Sequence, residues 1–405
     1  MIKKVLTNIL IVVGSILVSY VFLDIGFRIY RYIKLKNNYQ EYVFQAIDVP
    51  LYIFDKELGY RYKPNTDGAY ANFDKDNTLL QLNLFRVNNS GHISPTDDFI
   101  DKPNSEYRIA ILGDSYTASL HNNIPWPSIL EEILNKDDSL KNHLGISTFK
   151  VLNLGMDGTG IVQWAKVATN EASRFHPDFV IVNFITDDIF RKFIWRASIK
   201  PQTSTGDYYL GLMCSSMPVS LENRDCAVLK MITFDRNLFN EKNELSRIKR
   251  EIYEQEVDRI EWFSIYPELF ARAFGKFFGL KYRLFLSGQQ IPYYDNQDEA
   301  IKASADALRK IKSIYPTTLF LHNPDPTELL SKSTPQIILD FVKKEYDLNI
   351  LLMRRNLPDK ADEKEIKSWF KLPFDGHFSD YGANIYAQGV YSQVRERLLN
   401  PTGDN

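Results

Sequence analysis

The feature that most limits how this chain can fold is a short apolar run that stops at an acid and a serine. Tyr107-Arg108-Ile109-Ala110-Ile111-Leu112 has the length and composition of a buried strand. Gly113 then permits a sharp turn, and Asp114-Ser115-Tyr116-Thr117-Ala118 can open a helix. A serine so placed stands at the carboxyl end of a strand, where open α/β sheets gather their ligands. Asp and Ser are also favoured helix N-caps, so Gly-Asp-Ser alone is satisfied by capping. Acyl chemistry asks for more: a base for the serine proton, an acid to orient the base, and donors facing the developing oxyanion.

The far end of the chain offers the base and the acid. Pro373-Phe374-Asp375-Gly376-His377-Phe378-Ser379-Asp380 reads as a loop ahead of a last helix. In extended backbone, side chains two apart leave on one face, so Asp375 and His377 can point together at Ser115. Ile385, Ala387, Val390 and Val394 suit a helix packed on a sheet, which would hold that loop. The other five of the six histidines read as surface or structural residues.

Taken together these blocks resemble the SGNH, or GDSL-like, hydrolase superfamily, over most of the chain. Gly113-Asp114-Ser115 is similar to the first block and Asn153-Leu154-Gly155-Met156-Asp157-Gly158-Thr159-Gly160 to the second. Asp375-Gly376-His377 is similar to the last. The resemblance implies Ser115 as nucleophile, His377 as general base, Asp375 as its acid, and the Ser115 and Gly155 amides as oxyanion donors. It also implies a flavodoxin-like three-layer α/β sandwich around five parallel strands in the order 2-1-3-4-5.

The third block departs from that pattern. After the strand Phe179 to Ile185 the family carries an Asn-Asp pair, whose Asn supplies a further oxyanion donor, and this chain has Asp187-Asp188. An ionised carboxylate only accepts hydrogen bonds, so Asp187 serves there only if burial keeps it protonated. Asn183 is a fallback donor, although its place inside the strand reads more simply as structural. The Asp-x-His spacing is also tighter than the Asp-x-x-His common in the family.

A formal charge of -2, with no basic cluster among interleaved aromatics, argues against nucleic acid as a partner. No Cys-x-x-Cys or His-x-x-x-His spacing suggests a metal site, and no cofactor is implied. Cys214 and Cys226 are either a local disulfide or two separate thiols. Val5 to about Phe27 is mostly apolar and long enough to span a bilayer, with Asn8, Ser15, Ser19 and Asp24 as interruptions. Arg28, Arg31, Lys34 and Lys36 follow it and would by charge alone keep the body cytoplasmic. The resemblance points instead to the periplasmic or outer face of a bacterial inner membrane.

The expected organisation is an anchor over 1–35, a turn-rich preamble of short strands over 36–105, and a hydrolase-like domain over 106–400. That domain carries a helical or irregular insertion at about 195–300. Within the insertion Trp262, Phe263, Tyr266, Phe270, Phe274 and Phe277 recur at helical intervals, a core stripe or a lid. Alternation resumes with the helix Asp298 to Ile314, the strand Thr317 to His322, the helix Pro335 to Tyr346 and the strand Leu348 to Met353.

The expected function is a membrane-anchored serine esterase removing O-acyl, chiefly O-acetyl, groups from an envelope carbohydrate. A polysaccharide O-acetyltransferase using the same acyl-enzyme, with a membrane-embedded acyltransferase as partner, is the nearest alternative. A non-catalytic glycan-binding or assembly protein on the same scaffold is the third.

Overall fold

A computed structural model of the chain describes residues 2–38, 44–47, 51–73, 79–199, 208–215, 217, 226–232, 292–358, 360–372 and 375–400. The chain divides into two compact units. One comprises Met1–Ala46, Ala71–Gln81 and Phe234–Gln290, the other Ile47–Tyr70, Leu82–Thr233 and Ile291–Asn405. In the first unit the helix Ile2–Asn38 contains the apolar run and carries an Asp24–Arg28 ion pair one turn apart, at 2.7 Å. The spanning expectation for Val5 to Phe27 is not supported, because among the described residues no helix is long and apolar enough to cross a membrane. The aromatic stripe from Trp262 to Phe277 lies outside the described residues.

The second unit is built on five parallel strands: β1 (Glu106–Gly113), β2 (Thr148–Gly155), β3 (Phe179–Phe184), β4 (Leu319–His322) and β5 (Ile350–Leu352). They lie in the order β5-β4-β3-β1-β2, the expected 2-1-3-4-5 read from the other edge. In β1, Ala110 and Leu112 face one way and pack with Trp164, Val167, Leu308 and Phe341. Ile109 and Ile111 face the other way and pack with Trp126, Leu130, Tyr386 and Val390. Helices Ile161–Asn170 and Gln297–Ile314 thus contribute to one face, and Trp126–Lys136 and Asp380–Leu399 to the other. Burial on both faces is why β1 reads as a continuous apolar run instead of an alternating one.

Among the strands outside this sheet are two antiparallel pieces. The preamble forms the hairpin Tyr52–Asp55 and Gly59–Tyr62, with Tyr60 fully buried. Of the insertion, the described residues up to Ile232 form an antiparallel sheet of Trp195–Ile199, Tyr208–Cys214 and Cys226–Ile232, whereas its expected helical stretch lies outside the described residues. Cys214 and Cys226 face each other across two of these strands and form a disulfide, which closes the alternative of separate thiols.

A buried charge cluster ties the rest of the preamble to this unit. His92 Nδ1 lies 2.7 Å from Asp98 Oδ2 and its Nε2 3.5 Å from Glu171 Oε1, while Lys150 and Arg61 neutralise the two carboxylates at 3.0 and 2.6 Å. Burial favours the neutral forms, yet hydrogen bonds and opposite charges outweigh it. They raise the His92 pKa and hold Asp98 and Glu171 down at about 2 each. The His92 contribution is complete below the ordinary imidazole value of 6.5 and is lost as pH rises through its raised value. The carboxylate contribution is complete above their ordinary values of 3.8 and 4.5 and is lost as pH falls toward 2. His92→Leu should therefore lower the unfolding free energy by roughly 3 kcal/mol near pH 5.5, and by less near pH 9. Urea titrations at the two pH values check this, and an equal loss at both would contradict it.

Candidate active site

The turn after β1 is shaped by space more than by backbone freedom. Gly113 does not adopt a positive φ, but a Cβ there would lie 2.0 Å from Thr117 Oγ1 and 2.8 Å from the Asn183 carbonyl. Asp114 caps the short helix Ser115–Ala118, its Oδ1 accepting the Tyr116 amide at 2.9 Å. Capping is thus real, and it leaves Ser115 free to do something else. Ser119, at φ 57, ends the helix after one turn.

Residues just beyond this turn hold the carboxyl-terminal loop in place. Tyr116 donates its hydroxyl to the Gly376 carbonyl at 2.7 Å, and Asn122 donates to the Phe378 carbonyl at 3.0 Å. Asp380 accepts from the Asn123 amide and side chain at 3.1 and 2.7 Å. Within the loop, the Lys371 amide donates to the His377 carbonyl at 3.0 Å and the Asp375 amide to the Lys371 carbonyl at 3.1 Å.

The structure brings together the three residues expected from the sequence. His377 Nε2 lies 2.8 Å from Ser115 Oγ, and His377 Nδ1 lies 2.5 Å from Asp375 Oδ1. The tight Asp-x-His spacing is accommodated by a turn in which the same Asp375 oxygen accepts the His377 amide at 3.0 Å. Burial alone would depress the His377 pKa, but the adjacent Asp375 charge and hydrogen bond raise it. In turn His377 holds the Asp375 carboxyl well below the usual carboxylate range, against the effect of burial. A serine hydroxyl, an imidazole and a half-buried carboxylate arranged in this way can move a proton from serine to base as the serine attacks an acyl carbon.

His121, read from sequence as structural or exposed, belongs to this site. Its ring stacks on His377 with centroids 4.0 Å apart, and its Nδ1 lies 3.6 Å from Asp375 Oδ2. Burial and then the His377 charge push its pKa down to about 3, so it sits there as a neutral ring. Donor atoms of His121, Asp375 and His377 all lie within 4.8 Å of one another, a spacing able to hold a cation. Two of the three are already engaged in the short Asp375–His377 hydrogen bond.

The oxyanion donors differ from expectation. The Ser115 amide makes no hydrogen bond among the described residues, as its expected role requires. The Gly155 amide is spent: it donates to Asn153 Oδ1 at 3.1 Å, and Gly155 matters instead because a Cβ there would lie 2.3 Å from the Ala118 nitrogen. Along the loop that follows, Met156, Asp157 and Thr159 donate to Gly113 O, Tyr62 Oη and Met156 O. The Gly158 amide donates to nothing among the described residues. Asn183 is structural, donating to Thr117 Oγ1 at 3.0 Å and accepting from Tyr386 Oη at 2.5 Å. Asp187 sits half-buried in the short helical turn Thr186–Ile189.

The acid after it is the one that reaches the nucleophile turn. Arg191, buried, bridges Asp114 Oδ2 at 3.0 Å and Asp188, and Asp188 also accepts the Ile185 amide at 2.8 Å. The sequence signal for Arg191 was the pair of buried acids, since such charges need a counter-charge.

No protein-family profile matches the chain, and no curated protein does. Among solved structures, a lipase/acylhydrolase from Enterococcus faecalis is similar at 11% identity, covering 72% of this chain and 96% of that one, with TM-score 0.32. A two-domain esterase (CEX) active on acetylated mannans, co-crystallised with mannopentaose, is similar at 12% identity over 74% of this chain and 51% of its own, with TM-score 0.35. A carbohydrate esterase family 2 enzyme with a carbohydrate-binding domain, from Corynascus thermopiles (Myceliophthora fergusii), shows 12% identity over 82% and 77%, with TM-score 0.29. At identities and TM-scores this low the three likenesses carry no weight beside the geometry.

A nuclear magnetic resonance titration of the imidazoles should find His377 charging above its ordinary 6.5, with His121 neutral down to about 3. Asp375→Asn should lower the His377 value, because the carboxylate charge is what raises it. An unmoved His377 titration in that variant would refute the assigned pairing.

Proposed function

We propose that this protein is a serine esterase that removes O-acyl groups, most simply O-acetyl groups, from a carbohydrate. The observation that carries the reading is the hydrogen-bonded chain from Ser115 Oγ through His377 to Asp375, at 2.8 and 2.5 Å, beyond the carboxyl end of β1. Ser115 Oγ attacks the acyl carbon while His377 Nε2 takes its proton. The amides of Ser115 and Gly158 stabilise the oxyanion. Asp375 holds the imidazole tautomer and balances the imidazolium. His377 then returns the proton to the leaving sugar oxygen, and water, deprotonated by the same imidazole, releases the acyl group as acid. The carbohydrate side of the reading follows the resemblance noted from the sequence.

Location is part of the same proposal. The Cys214–Cys226 disulfide suits an oxidising, extracytoplasmic compartment of a bacterial envelope. The helix Ile2–Asn38 leaves Ile11, Val12, Val18, Phe22 and Leu23 between 55% and 71% exposed, which suits attachment to a bilayer. The full chain is expected in the membrane fraction after high-salt washing; recovery in the soluble fraction would refute attachment.

Ser115→Ala should abolish 4-nitrophenyl acetate hydrolysis, a loss on the order of 10⁴-fold or more, without changing the near-ultraviolet circular dichroism. Retained turnover in the purified variant would refute the nucleophile. Supplying an oligosaccharide acceptor together with the acyl donor distinguishes hydrolysis from transfer, since free acetate is the product expected here and an acetylated sugar the product of a transferase.

A further inference from the structure

The tyrosines of the preamble hairpin converge on one residue of the loop beside the nucleophile. Asp157 is gripped at every polar group. Its carboxylate accepts from Tyr52 Oη at 2.8 Å and from Arg196 Nη1 at 2.7 Å. Its carbonyl oxygen accepts from Tyr60 Oη at 2.7 Å and from Arg196 Nη1 at 2.9 Å. Its amide donates to Tyr62 Oη at 2.8 Å. The Arg196 guanidinium also lies 3.8 Å above the Tyr52 ring, so the grip is itself rigidly packed.

The Asp157 carbonyl and the Gly158 N–H belong to one planar trans peptide and point in opposite directions. Fixing the carbonyl with two donors therefore fixes the N–H, which is the one left without an acceptor among the described residues. A cation hydrogen-bonded to the carbonyl also draws electron density across the peptide and makes its N–H a stronger donor. This peptide lies in the loop after β2, which packs against the turn that carries Ser115. The loop arrives there because Met156 donates to the Gly113 carbonyl at 2.8 Å, two residues before Ser115.

We propose that Tyr60 and Arg196 are positioning residues that orient and polarise the Asp157–Gly158 peptide toward the oxyanion formed at Ser115. The inference rests on the esterase reading and adds to it elements from outside the three sequence blocks: a hairpin that precedes them all and a strand of the insertion. Neither residue touches the reacting atoms. Their effect is confined to the step in which charge builds on the carbonyl oxygen.

The test compares Tyr60→Phe, Arg196→Gln and Arg196→Lys in the full chain with 4-nitrophenyl acetate. Tyr60→Phe and Arg196→Gln should lower kcat by roughly 10- to 100-fold, short of the loss from deleting an oxyanion donor outright. KM should stay within about twofold and the acid limb of the pH profile should not move, because ground-state binding and His377 are untouched. Arg196→Lys, which keeps the charge, should recover a large part of kcat. Unchanged kcat in the folded variants would overturn the proposal. So would a rate loss matched by an equal loss of folded protein at the assay temperature, since the clamp would then be only a brace. Turnover that survives Ser115→Ala would remove the oxyanion the clamp serves, and that control separates failure of the esterase reading from failure of the clamp alone.

Discussion

One hydrogen bond joins the two ends of the site: Ser115 Oγ to His377 Nε2, between residues 262 positions apart. The geometry of that bond is set elsewhere. The sheet puts Ser115 at the end of β1, and the helix Asp380–Leu399, packed on one sheet face through Tyr386, Ala387 and Val390, brings the loop that precedes it to the same place. Tyr116 and Asn122 then hold the Gly376 and Phe378 carbonyls on either side of His377. Without these staples an imidazole on a loop would sample many positions, and an ordering cost would fall on every turnover.

Charges around the serine are arranged in layers that do different work. Asp375 faces the imidazole directly and raises its basicity. Asp114, adjacent to the nucleophile, is committed to a helix cap and to Arg191, and Arg191 also neutralises Asp188. His121, neutral and stacked on His377, fills space beside the base without adding charge. On the far side of the second-block loop, the half-buried Asp157–Arg196 pair stands among three tyrosines, and there too the ionic groups act on a peptide instead of on substrate.

Much of this was legible in the residues. The strands follow from local signals, a run buried on both faces and short polar turns, whereas their order and the meeting of Ser115, His377 and Asp375 are what the resemblance implied. What was not legible depends on side-chain contacts that residue types and spacing do not announce. Gly155 looked like a donor until Asn153, two residues back, took its amide. Asp188, not Asp187, became the acid that reaches the nucleophile turn because Arg191 lies one turn further on. His121 resembled any lone histidine until the last loop folded over it. The apolar amino-terminal run forms a helix, and among the described residues no helix is long and apolar enough to cross a membrane. Strands in the insertion were missed because a cross-strand disulfide and side-by-side pairing leave no periodic mark in an irregular composition.

The most direct measurement of the central claim is mass spectrometry of the intact full chain after exposure to an aryl fluorophosphonate. Phosphonylation needs a serine made nucleophilic by its base and an oxyanion pocket to receive the phosphoryl oxygen, and it needs no knowledge of the natural substrate. A single adduct mapped to Ser115, lost in His377→Ala while the fold is retained, is the predicted result. A wild-type protein that stays unlabelled, or is labelled equally well without His377, would contradict it.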